Sequence, residues 1–184
     1  MPILNSISSI RTGVYLQPLV KGDARYLQIK DFNSRGEFTG GPVAEIQMET
    51  KLERHLLKQG DILFAAKGSK NFAAVISELA KPSVASSAFF VIRQSSGYLP
   101  EFLAWFINHP RTQNELKVEA KGSAMHSISI KALEALEVSL PDKKTQELIV
   151  MIDKLRSREK ELSNELDEIK DSLIDTKIFS KIRQ

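Results

Sequence analysis

The chain has 184 residues, 42% hydrophobic and 27% charged, with a net charge of +3 and no cysteine. That balance describes a globular protein and excludes disulfides, thiolate zinc sites and cysteine nucleophiles. No apolar run reaches the ~18 residues of a membrane span, and "MPILNSISSIRTG" lacks the parts of a signal peptide, so a cytoplasmic location is expected.

Short apolar segments bounded by turn formers predict strands at 26–29, 61–66, 72–77, 88–93 and 136–140. Helices are predicted at 99–108 and 110–120, with Pro100 and Pro110 in their first turns, and at 130–136 with Ser129 as cap. The sequence changes character at "SLPDKKTQ", residues 139–146. Beyond Pro141 there is no glycine or proline, and Asp142 has the position of a helix N-cap. Two domains are expected: a mixed α+β domain over 1–141 and one long helix within 142–184.

The tail has a heptad stripe. Leu148, Ile152, Leu155, Glu159, Leu162, Leu166, Ile169, Leu173 and Thr176 are spaced alternately by four and three, with Glu159 as the interruption. A helix over 143–178 of this kind calls for a partner helix or a return onto its own domain. Its charges are sorted. Residues 143–160 carry six basic and three acidic groups; residues 161–175 carry one basic and six acidic. An antiparallel coiled coil sets opposite charges side by side, with Glu159 near the crossing point. A homodimer through this helix is the expectation, with pairing to a related chain as the alternative.

Several chemistries are missing from the sequence. There is no P-loop, no Gly-x-Gly-x-x-Gly, no His-Glu-x-x-His and no Gly-x-Ser-x-Gly. Asn108-His109-Pro110 does not match the Asn-Pro-Pro-aromatic signature of amino-methyltransferases. No catalytic constellation and no metal site is expected.

Three loops have the chemistry to hold nucleic acid. The hairpin "GDILFAAKGSKNFAAVI" carries Lys67, Gly68, Ser69, Lys70 and Asn71 at its tip. Lysines neutralise phosphates, glycine admits close backbone approach, and serine and asparagine donate to phosphates or base edges. A solvated polar tip is the plain alternative. "EAKGSAMHSIS" repeats Lys-Gly-Ser, with Lys121, Ser123 and His126; a helix C-cap at Gly122 is its plain alternative. "KDFNSRGEFTGG" adds Asn33 and Arg35 among glycines. Arg35 and Asn71 are the expected base readers. Trp105 and Phe106, on an apolar helix, are expected in the core.

The segments "RYLQIKDFNSRGEF", "LLKQGDILFAAKGS", "GYLPEFLAWFINHP", "KGSAMHSISIKALEALEVSLPDKKTQELIVMIDKL" and "ELDEIKDSLIDTKIF" follow one another over nearly the whole chain. In this order they resemble the specificity subunit of type I restriction-modification systems, in a half-length form with one target recognition domain and one conserved helical region. The Gly-Asp-Ile-Leu strand and the Leu-Pro…Gln-Glu-Leu-Ile junction are the most specific parts.

The resemblance implies a non-catalytic subunit that reads half of a split target in double-stranded DNA. It implies helices that space the halves and dock a methyltransferase subunit. That partner uses S-adenosylmethionine to methylate adenine N6, and a nuclease-translocase subunit joins for cleavage. No cofactor is expected on this chain. The usual pattern has two recognition domains and this sequence has one. Met1 fits a complete short product, and a fragment would look the same. The competing expectation is a coiled-coil interaction or regulatory protein whose globular head binds protein instead of DNA.

Overall fold

The computed structural model describes residues 1–33, 35–39, 43–68, 71–77, 81–95, 97–119 and 127–182. The chain forms two compact units, Met1–Gln146 and Glu147–Gln184. The first mixes short strands and helices, and the second belongs to a long C-terminal helix.

In the first unit, one sheet has the order β1 (Ser8–Thr12), β7 (Phe89–Gln94), β4 (Ile62–Ala65), β5 (Ala73–Val75), antiparallel throughout. The second has the order β3 (Glu45–Ile46), β2 (Ala24–Leu27), β6 (Ser83–Ala85). There β2 pairs antiparallel with β3 and parallel with β6. β4 is buried on both faces, which explains why "ILFA" is an unbroken apolar run with no alternation. Leu63 and Ala65 of β4 pack with Leu27, Phe72, Ala85, Phe89 and Val91. Ala24, Tyr26 and Val84 gather a second cluster with Ile46 and Leu52. The paired strands β2 and β6 therefore contribute to both cores.

The helices are α1 (Leu4–Ile7), α2 (Pro100–Asn108), α3 (Pro110–Glu119), α4 (Ile130–Glu134) and α5 (Lys143–Ile182). Pro100 stands in the first turn of α2, where its missing N–H has no helical partner to lose. Ser129 Oγ accepts from Ala132 N at 3.1 Å and caps α4, as its position in the sequence implies. α2 packs on β5. There Asn108 accepts from Ala73 N at 2.7 Å and donates to Ala73 O at 2.8 Å. One side-chain amide thus satisfies both outward backbone groups at that point of an edge strand.

The predicted strand at 136–140 is the main departure. Only Glu137 pairs, in a single antiparallel bridge to Ile3, with Val138 N donating to Pro2 O. The partner chain turns into α1 at Leu4, so the ladder has nowhere to extend. β1, β3 and β6 were not predicted. Trp105 and Phe106 are half-buried, and Trp105 joins a run of ring contacts from Phe102 to His109.

Two buried polar groups hold the first unit. Gly60 adopts φ +85°, and Asp61 behind it is 1% exposed. Asp61 accepts from Lys58 N at 2.8 Å and from Arg93 Nε and Nη2 at 2.7 and 2.6 Å. The Asp61 bond holds the Arg93 guanidinium above its ordinary pKa. Gln146, also 1% exposed, lies in the first turn of α5. It accepts from Leu99 N at 2.9 Å and donates to Gly97 O and Pro141 O. Asp142 caps that turn by accepting from Thr145 N and Thr145 Oγ1 at 3.0 and 2.6 Å. The hydroxyl bond first, then the backbone bond, holds its carboxyl below the ordinary range.

Replacing Arg93 with alanine leaves the buried Asp61 carboxylate without its charge partner. The expected loss is about 3 kcal/mol of folding stability, read from the urea midpoint at unchanged m-value.

Candidate nucleic-acid interface

The hairpin β4–β5 carries the first candidate loop. Lys67 and Gly68 are exposed at its tip, and Gly68 has φ +124°, a conformation that favours glycine. Asn71 donates from Nδ2 to Ala65 O at 2.8 Å, and Ala65 N donates to Phe72 O at 2.8 Å. The Asn71 amide nitrogen therefore closes the base of the tip. Ser69 and Lys70 lie outside the described residues.

In the loop carrying Asn33 and Arg35, side chains likewise bond to the loop's own backbone. Asn33 Oδ1 accepts from Arg35 N and Glu37 N at 2.9 and 3.0 Å, and its Nδ2 donates to Glu37. Arg35 Nε lies 3.3 Å from Glu37 Oε2, with both side chains about half exposed. Glu37 orients the arginine head and must share it with any anion that approaches.

These two loops are brought together. A Cβ added at Gly36 would meet Ala73 O at 2.6 Å and Phe72 Cδ2 at 3.0 Å, so the first loop rests directly on the hairpin. Beneath them, Phe32 of the first loop contacts Phe72 of the hairpin and Phe89 of β7, at centroid distances of 5.9 and 5.6 Å. Phe72 and Phe89 contact each other at 6.2 Å. Edge-on and tilted rings of this kind lock both loops onto one core. Phe38, 46% exposed, packs its ring edge-on against Phe32 at 5.8 Å.

The third candidate loop, with Lys121, Ser123 and His126, lies outside the described residues. The chain directly after it does not. Ile128 is buried, and its N–H donates to Ala66 O at 3.1 Å, beside Lys67. The end of the third loop is thereby fastened to the hairpin neck.

A second cationic group was not singled out from the sequence. Arg11 of β1 donates to the carbonyls of Arg54 and Leu56, and Arg54 Nε lies 3.1 Å from His55 Nε2. Arg93 Nη2 also donates to Leu56 O, at 3.0 Å. Burial, then the charge of Arg93, lowers the Arg11 pKa against the opposing pull of Asp61. Burial, then Arg54 and Arg11, lowers the His55 imidazole. His55 is therefore harder to protonate than an ordinary imidazole. Arg11 and His55 are 44 positions apart, and only the fold joins them.

No three metal-ligating side chains gather among the described residues, and no described helix is long and apolar enough to cross a membrane.

Residues 7–169 match the family described as type I restriction modification DNA specificity domain. The chain belongs to that family. Comparison with curated proteins finds no match. Solved structures of similar fold include a chain from a study titled for complex assembly and conformational transition of the type I R-M system. It shows 14% identity and a TM-score of 0.65, over 87% of this chain and 38% of that chain. Another is the HsdS subunit from Thermoanaerobacter tengcongensis, at 15% identity and TM-score 0.59, over 85% of this chain and 37% of that chain. A third is the type I restriction-modification system S subunit from M. genitalium, at 15% identity and TM-score 0.56, over 89% and 39%. This specificity-domain chain thus spans well under half the length of the structures it resembles.

The seam expected on α5 is exposed along its length. Leu148, Ile152, Leu155, Leu162, Leu166, Ile169 and Leu173 all lie on the surface, as does Glu159. Local pairs such as Arg158–Glu161 and Lys170–Asp167, each 3.3 Å, add a few tenths of a kcal/mol apiece to the helix.

Lys67 tests the interface because no structural bond of its side chain need be broken. The Lys67→Ala variant is expected to reduce the slope of log affinity against log salt by about 0.9 on duplex DNA. An unchanged slope removes Lys67 from the interface.

Proposed function

We propose that this chain is a non-catalytic DNA-recognition subunit of a type I restriction-modification complex. It reads half of a bipartite target in double-stranded DNA and directs adenine N6 methylation by a partner methyltransferase subunit. S-adenosylmethionine belongs to that partner, which takes the adenine out of the helix stack. A nuclease-translocase subunit adds cleavage to the same complex. The observation that carries the reading is the family match over residues 7–169. The joined loops of the first unit support it, because the loop of Arg35 rests on the hairpin that carries Lys67 and Gly68.

Two copies pair antiparallel through α5. The exposed seam and the sorted charges support this arrangement, which sets the basic half of one helix beside the acidic half of the other. A protein of two-fold symmetry reads a symmetric site. The target is then a palindrome split by a gap, and α5 sets the gap.

The test is a methylation map by long-read sequencing, in a methylation-free host expressing this chain with its methyltransferase subunit. A bipartite palindromic N6-methyladenine motif is the expected result. An asymmetric bipartite motif keeps recognition and rejects the homodimer. Absence of any motif, with both proteins soluble and associated, favours the regulatory alternative. Inserting seven residues into α5 adds roughly 10 Å and is expected to lengthen the gap by about three base pairs, with the half-sites unchanged. An unchanged gap removes the spacer role.

A further inference from the structure

The sequence holds three tyrosines, and the fold treats them differently. Tyr26 and Tyr98 are 2% and 5% exposed, while Tyr15 is 81% exposed. Among the described residues, the Tyr15 side chain has no ring contact and no hydrogen bond. It gives up the burial that an aromatic ring ordinarily supplies to a core.

The backbone on either side of it is nonetheless fixed. The Tyr26 hydroxyl donates to Val14 O at 2.8 Å and accepts from Leu16 N at 3.1 Å. Val14 and Leu16 pack against the cluster around Tyr26, and the residue between them is left to solvent. Farther on, Leu19 N donates to Glu45 O and Gly22 N to Glu45 Oε2, each at 2.7 Å. The ring is thus carried on a segment held at both ends.

Its place in the first sheet is shared with the hairpin tip. β1 and β4 both run antiparallel to β7, so they point the same way. Thr12 of β1 and Phe64 of β4 flank one residue, Phe90. Two strand spacings set them roughly 10 Å apart. Tyr15 follows Thr12 by three residues, and Lys67 follows Phe64 by three. Just past the strands, Gly13 N donates to Phe89 O at 3.0 Å and Ala66 N to Ala88 O at 3.1 Å. Tyr15 therefore leaves the sheet at the end where Lys67 and Gly68 form the exposed tip.

An exposed phenol at the same end as a cationic tip suits a phosphodiester backbone. We propose that Tyr15 contacts the duplex backbone, its hydroxyl donating to a phosphate oxygen and its ring lying against the adjoining deoxyribose. The inference rests on the DNA-recognition reading above and adds a neutral contact to the cationic ones. Such a contact positions the duplex and carries no base information. The held backbone lowers the ordering cost of presenting the ring.

The chain has no cysteine, and its other two tyrosines are buried. Tetranitromethane is therefore expected to nitrate Tyr15 first, read on the full chain by peptide mass spectrometry. A mixed-sequence duplex at low salt, with binding followed by fluorescence anisotropy, is expected to slow that nitration. Bound duplex that leaves the rate unchanged overturns the proposal. Protection by the purified methyltransferase subunit and not by bound duplex assigns the ring to a protein contact and also overturns it. In parallel, Tyr15→Phe is expected to weaken duplex binding about tenfold. The salt slope stays unchanged, because a neutral side chain releases no counterion. Wild-type affinity in Tyr15→Phe, where Lys67→Ala still lowers the slope, overturns the Tyr15 contact and leaves DNA recognition standing. A methylation motif altered by Tyr15→Phe assigns the residue to base reading and overturns the backbone role. Failure of the wild-type chain to bind duplex at any salt overturns both readings together.

Discussion

A carboxylate removed from water is costly unless charge and hydrogen bonds replace its hydration. Asp61 meets that demand, and much of the first unit is arranged by how it does so. Its oxygens hold Lys58 N, which fixes the turn that Gly60 completes. They also hold both ends of the Arg93 fork, which fixes β7 against the start of β4. Arg93 and Arg11 then share the carbonyl of Leu56, tying β1 to the same turn. The Gly-Asp-Ile-Leu segment is distinctive because each residue has a separate physical duty. Glycine turns the chain, aspartate collects the donors, and the two aliphatics fill opposite sides of one buried strand.

Gln146 solves a similar problem without charge. The last residues before a helix and the first residues of another loop leave backbone groups unpaired, and burial makes them expensive. One amide answers Leu99, Gly97 and Pro141 together. This fastens the first turn of α5 within the globular unit, beside the entry to α2. The junction that carried the family resemblance in the sequence is thus a hydrogen-bonding device.

The elements that the sequence made legible are those with strong local causes. β4 and β7 are continuous apolar runs, α2 and α3 open on proline, and Ser129 and Asp142 stand at cap positions. β1, β3 and β6 escaped because their residues are polar or few, and pairing partners decide their structure. The strand predicted over 136–140 failed for the same reason, since its partner ends after one bridge. At the site, residue types were legible and arrangement was not. Asn33 and Asn71 also hold their own loops through the atoms described above, a role that their local sequence does not show. The meeting of those loops depends on Phe32, Phe72, Phe89 and the Ile128–Ala66 bond, which join distant parts of the chain. The group of Arg11, Arg54 and His55 has no local signature at all.

The Asn108 clamp has a consequence for how such a protein changes. A hairpin at a sheet edge ordinarily depends on its own turn for register, so altering the tip endangers the strands. Here Asn108 grips Ala73 from α2, and the phenylalanines grip the hairpin from below. The strands therefore have holds on their register that lie outside the tip. A change at the exposed Lys67 side chain then leaves those holds in place. The scaffold separates what must stay constant from what is available to variation.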